Sequence, residues 1–297
     1  MSLSSLLTRT ASMFRSQVRP VSEESPLFRE ERITDEWFRS HFVYAPDIVN
    51  EWLGKGIDVS KSRILDFGCG DGIMDLGVAL RHKAREVIGA DIHESSGFLA
   101  ATAKEQLGLE ALPGNLKFAR IEPGESLASK GPIDAVFSWS VFEHIERSLL
   151  PGILADIFAS LPPRGVFFLQ IEPLYFSPFG AHLSGLVPDP WVHLLCSDAE
   201  LQERIERRQP EDMLDEHKNK TFEVCSFVDF KKYLQREYAS LNKLTSSELV
   251  GMVEAAGFRV EESWDSHLSI RIPPELLQKY PREDLTRNEI RLLLRKP

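Results

Sequence analysis

Cysteine is scarce in this sequence, with three residues in 297: Cys69, Cys196 and Cys225. No Cys-x-x-Cys pair occurs, which argues against a zinc knuckle and a disulfide framework and suits a reducing compartment, so a cytoplasmic location is expected. No apolar run approaches the roughly 18 residues of a membrane span, and no transmembrane segment is expected. Basic residues are outnumbered, 35 Lys and Arg against 45 Asp and Glu, leaving a net charge of -10. A phosphate backbone is held by clustered positive charge, so nucleic acid is not an expected partner. Internal repeats and low-complexity tracts are also missing. The remaining composition is that of a globular chain, 42% hydrophobic and 27% charged. The length suits one large domain, or one domain carrying an inserted segment.

Short β-rich runs alternate with helical stretches from about residue 62 onward. RILDF (63–67), EVIGAD (86–91), NLKFARI (115–121), IDAVFSWS (133–140) and GVFFLQIEP (165–173) read as five strands. Their near-continuous apolar character is that of parallel strands covered on both faces. MDLGVALRHKA, FLAATAKEQLG and LLPGILADIFASL read as the intervening helices. This order implies right-handed crossovers and a doubly wound α/β sheet. Residues 174–240 break the rhythm and are expected to form a helical insertion after strand five, covering the ligand face. Within it, Ser197 with Glu200 makes a capping box and Ser226 opens a second helix. Thr245 with Glu248 caps a further helix that Gly257 ends. FRVEESW (258–264) and NEIRLLLRKP (288–297) complete seven strands, the last expected to run antiparallel.

Residues 1–60 are expected to be an N-terminal arm followed by helices, ahead of a domain at 61–297. The first twenty residues carry Arg9, Arg15 and Arg19, no acid, and scattered Leu, Met and Phe. An organellar presequence or a surface-lying helix shares that make-up. A loosely attached arm is the plainer reading.

The stretch ILDFGCGDG, Ile64 to Gly72, ends a strand on three alternating glycines. Bare backbone there signals a sharp turn or a ligand lying against the main chain. A Walker loop is excluded because no Lys follows Gly72, and the Gly-x-Gly-x-x-Gly fingerprint fails at Ile73 and at Asp75. Asp66 and Asp71 would repel a pyrophosphate. An adenosine-containing ligand with a positive end suits them, since carboxylates favour a sulfonium or ammonium group. Asp91 closes the second strand at the distance where a carboxylate reaches a ribose diol in a βαβ unit.

ILDFGCGDG, then ADIHE, then IDAVFSWSVFEHI, resembles the class I S-adenosylmethionine (SAM)-dependent methyltransferases, in particular the branch of quinone-biosynthesis and other small-molecule enzymes. The resemblance covers about residues 62–173 and 243–296. It implies a Rossmann-like sheet and SAM as cofactor, with Gly68, Gly70 and Gly72 at its methionine part and Asp66 behind them. Asp91 would hold the ribose hydroxyls and Ile92 would pack on the adenine. Where the family usually places Asp after strand three, Glu122 stands here. Ser138 and Trp139, ending strand four, would face cofactor and acceptor.

His144 is the foremost base for a hydroxyl acceptor, since imidazole titrates near neutrality. The competing role is that Glu143 and His144 brace the following helix. The fourth-strand SWSV lacks the Pro-Pro pattern of enzymes that methylate nucleic-acid amines. Tyr175, His182, Trp191 and His193 offer stacking faces and neutral donors for a sugar or a flat ring, or else form a lid whose aromatics pack on the sheet. Histidine spacing supports no metal site. The expected activity is O-methylation of a hydroxylated small molecule or glycan. A quinone-like phenol acceptor and a non-catalytic binding subunit are the alternatives.

Overall fold

The computed structural model describes residues 30–93, 96–122, 124–213 and 226–297. The basic N-terminal stretch and Cys225 lie outside the described residues. Seven strands, Arg63–Phe67 (β1), Glu86–Asp91 (β2), Leu116–Arg120 (β3), Ala135–Trp139 (β4), Val166–Ile171 (β5), Arg259–His267 (β6) and Arg287–Arg295 (β7), form one sheet ordered β3-β2-β1-β4-β5-β7-β6. β1 runs parallel to β2 and β4, and β2 parallel to β3. β7 runs antiparallel to both β5 and β6. All seven expected strands are present, with ends shifted by up to three residues.

The described residues divide into two compact units, one reaching to Glu125 with Pro132–Phe137 added, the other comprising Ser126–Gly131 and Ser138–Pro297. In the first, Asp35 caps a short helix by accepting the Phe38 N–H at 2.9 Å. A π-helical turn, Ser40–Tyr44, leads into Ala45–Gly54 (α1). Ile73–Arg81 (α2) follows β1 and packs against this layer through Gly77, where a Cβ would lie 2.4 Å from the Phe42 carbonyl and 2.5 Å from Pro46. Ser96–Leu107 (α3) connects β2 and β3.

The second unit contains Leu150–Ser160 (α4), Asp198–Arg207 (α5), Phe227–Ser240 (α6) and Ser246–Ala255 (α7). Both expected capping boxes are formed, Ser197 with Glu200 and Thr245 with Glu248. Leu183, Leu186, Val187, Leu201 and Ile205 make a small core of their own, on which Phe230 and Leu234 of α6 pack. Residues 181–213 and 227–238 therefore hold structure by burial rather than by strand pairing.

Between β5 and β7 runs a buried polar line. Gln170 Nε2 and Arg291 Nε both donate to Glu289 Oε1, at 3.0 and 2.7 Å, and Asn288 Nδ2 donates to Glu172 at 2.8 Å. Burial, then the Glu289 charge, push the Glu172 carboxyl up to about 7, against the pull of Arg291 and Asn288. A raised carboxyl holds its proton in the fold after the unfolded chain has released its own. Stability from this group is therefore full below the ordinary carboxylate range and is lost as pH rises toward 7. Glu172→Gln is expected to be more stable than the parent by on the order of 2–3 kcal/mol at pH 8 and nearly equal at pH 4.5, read by denaturant unfolding at both.

Candidate active site

In the first unit, β1 delivers the chain into the glycine turn. Gly68, Gly70 and Gly72 all take positive φ, 85°, 53° and 76°, a region costly for residues with a Cβ. Gly68 N–H donates to the Ala90 carbonyl at 2.8 Å, so β2 holds the start of the turn. Asp91 holds its middle, one carboxylate oxygen accepting Gly70 N–H at 3.0 Å and the other His93 N–H at 2.8 Å. Among the described residues a Cβ on Gly70 would meet nothing within 4 Å, whereas one on Gly72 would lie 2.7 Å from the Phe118 ring. Gly72 is therefore bare for packing, and Gly70 faces open space.

Four carboxylates surround this turn. Asp66 and Asp75 are buried, and among the described residues Asp66 Oδ1 and both oxygens of Asp75 have no hydrogen-bond partner. Burial, followed for Asp66 by the charge of Asp75 and then Asp91 and Asp71, raises both well above the usual carboxylate range. Asp71 accepts from Ile73 N–H at 3.0 Å and from Trp37 Nε1 at 3.1 Å. The Trp37 indole also stacks on His41, their centroids 3.9 Å apart. Trp37 and Asp75 were not among the expected site residues. Asp75 stands in an ordinary helical pattern, and no spacing rule ties residue 37 to residue 71.

In the second unit, the 3-10 turn Phe142–His144 follows β4. Asn242 grips this turn, donating from Nδ2 to the Phe142 and Ile145 carbonyls at 2.6 and 3.0 Å and from its N–H to the Glu143 carbonyl at 2.9 Å. His144 Nδ1 lies 3.1 Å from Ser240 Oγ, and that hydroxyl donates its own proton to the Glu237 carbonyl at 2.8 Å. The imidazole proton is therefore on Nδ1, and Nε2 carries a lone pair. His182 stands edge-on to His144, centroids 4.9 Å apart, and its Nε2 donates to the Pro173 carbonyl at 3.1 Å. Its lone pair is on Nδ1. Burial lowers both imidazole pKa values, His182 to about 4, so both are neutral at pH 7. His193 repeats the pattern, with Nε2 2.6 Å from the Tyr175 carbonyl.

A family model for the methyltransferase domain matches residues 37–263, well over half of the chain. The chain belongs to this family of SAM-dependent methyltransferases. No curated relative matches it. Similar solved structures include a SAM-dependent methyltransferase from Mesorhizobium loti, 16% identical over 82% of this chain and 95% of that one with a TM-score of 0.48. Another, from Methanosarcina mazei, is 16% identical over 84% and 96% with a TM-score of 0.47. Phosphoethanolamine N-methyltransferase 2 of Haemonchus contortus, in complex with S-adenosyl-L-methionine, is 14% identical over 89% and 56% with a TM-score of 0.49.

In this methyltransferase the turn fits the cofactor on two counts. Space lies open above Gly70, and the unpartnered acid behind the turn suits a ligand with a sulfonium and an ammonium. Ile92 is 51% exposed and Glu122 is exposed, paired with Arg120 at 3.2 Å. Ser138 is fully buried, and the Trp139 ring meets Phe168 edge-on. Of the acceptor-side set, His144 and His182 are brought together, as are Tyr175 and His193, whose ring centroids are 4.9 Å apart. Trp191 is placed elsewhere. It is 1% exposed among Ile272, Leu276 and Leu285, with Nε1 donating to the Leu285 carbonyl at 3.1 Å. Its ring has no free face, and it packs on the segment between β6 and β7 rather than on the sheet.

Proposed function

We propose that this methyltransferase transfers a methyl group from SAM to a hydroxyl of a small hydroxylated molecule or glycan, in the cytoplasm. Bound SAM supplies a methyl group on a positively charged sulfur, open to in-line displacement. Gly68, Gly70 and Gly72 present bare backbone to its methionine part, with the Asp66 carboxyl behind them. Asp91 keeps lone pairs for the ribose hydroxyls beyond its two amide contacts. Ile92 offers an apolar face to the adenine, and Glu122 and Ser138 complete the cofactor set.

The pair His144 and His182 carries the acceptor assignment. His144, neutral and held through Nδ1 at Ser240, is placed to receive a proton, and His182, standing edge-on to it, positions its ring. A hydroxyl must shed a proton to become a competent nucleophile, whereas a neutral amine already has its lone pair. Trp139, Tyr175 and His193 are assigned to hold the acceptor, and Trp191 to the core. Cys69 and Cys196 are cysteines outside any disulfide, which suits a reducing cytoplasm. With an acceptor found by screening hydroxylated metabolites by mass, His144→Gln is expected to lower turnover about a hundredfold with SAM affinity unchanged. Normal turnover together with a lowered melting temperature would assign His144 to bracing instead.

A further inference from the structure

We infer that Glu143, His144 and His182 form a binding site for a first-row divalent cation of the zinc type. One ligand-capable atom of each lies within 4.8 Å of the other two. Donors around a tetrahedral zinc, with bonds of about 2.0–2.1 Å, sit about 3.3 Å apart. The set must therefore contract by roughly 1.5 Å at most, a movement that side-chain torsions supply.

Glu143 gives an independent reason. It is 5% exposed, and neither carboxylate oxygen has a hydrogen-bond partner among the described residues. A buried carboxylate without donors is costly, and a cation beside it removes that cost. The two imidazoles are already arranged as ligands are. Each has its outer N–H fixed by an oxygen, Ser240 for His144 and the Pro173 carbonyl for His182, which leaves the other nitrogen's lone pair available. Glu237, 3.7 Å from His144 Nδ1, adds a carboxylate to that outer layer.

The backbone is committed to this arrangement as well. Asn242 fixes the turn bearing Glu143 and His144. His182 takes a left-handed φ of 58° two residues after Gly180, where a Cβ would lie 2.1 Å from the Tyr175 carbonyl. Two nitrogens and one carboxylate select zinc or a similar metal over magnesium or calcium, which prefer all-oxygen sets. Three protein ligands leave a fourth position open. With the cation bound, the free nitrogen of His144 is a ligand and no longer a base, so an acceptor hydroxyl in the fourth position would release its proton to solvent; that consequence replaces the base role of His144 and rests on the O-methylation reading, whereas cation binding itself does not.

The test is a calorimetric titration of the metal-stripped full chain with zinc chloride, without SAM or acceptor. One equivalent is expected to bind. Glu143→Gln and His182→Ala should each weaken binding at least tenfold, and His144→Gln should weaken it alongside its loss of turnover. His267→Ala, at an exposed histidine near Asp265, should leave zinc affinity unchanged. Thermal melts establish folding, and His182→Gln substitutes for any variant that fails to fold. Absence of stoichiometric binding, or parental affinity in folded Glu143→Gln and His182 variants, would overturn the site. Zinc binding that persists while no hydroxylated acceptor is found would sink the O-methylation reading and leave the site standing.

Discussion

Gly70→Val is expected to weaken SAM binding by more than a hundredfold, about 3 kcal/mol, while the protein stays folded. The asymmetry within the turn is the reason. At Gly70 the described residues offer a Cβ no neighbour within 4 Å, so the branched side chain enters space assigned to the ligand. Its cost to the fold is that of a left-handed backbone, about 1–2 kcal/mol. Gly72→Val meets the Phe118 ring at 2.7 Å in addition to its own left-handed φ, and should lose stability before binding can be measured. Asp91→Ala falls between, because its carboxylate both braces Gly70 and is assigned to the ribose. Calorimetry with SAM and thermal melts on all three separate these effects. Gly70→Val binding SAM as tightly as the parent would remove the cofactor from this turn.

Trp191→Ala should cost about 3–5 kcal/mol of stability, the range for deleting a buried aromatic side chain. The indole fills the cluster of Ile272, Leu276 and Leu285, and its loss also leaves the Leu285 carbonyl without its donor. Trp191→Phe keeps most of the volume and should recover much of the loss. A ligand-holding tryptophan gives the opposite result, an unchanged melt with a raised Michaelis constant for the acceptor.

These cases show why some of the site was legible in the chain and some was not. β1, β2 and the glycine turn are set by local rules, a continuous apolar run followed by residues free to take positive φ, and local rules are written in adjacent letters. Trp191 sits in an aromatic stretch whose composition is the same for a core and for a ligand wall. What decides is a carbonyl 94 residues away. The convergence of His182 on Glu143 and His144 is hidden likewise, since no helical or strand period links residues so far apart. It depends on how the turn after Pro173 folds back, through the His182 bond to the Pro173 carbonyl.

The order β5-β7-β6 bears on synthesis. Among the described residues β6 pairs with β7 alone, and it is made first, so on a growing chain its edge waits some twenty residues for that partner. Exposed Glu261, Glu262 and Asp265 along β6 put repulsive charge on an edge that could otherwise recruit a neighbouring nascent chain. The greasy Leu292–Leu294 run leaves the ribosome only afterwards and slots between two strands already waiting, so the segment most prone to aggregate is exposed for the shortest time.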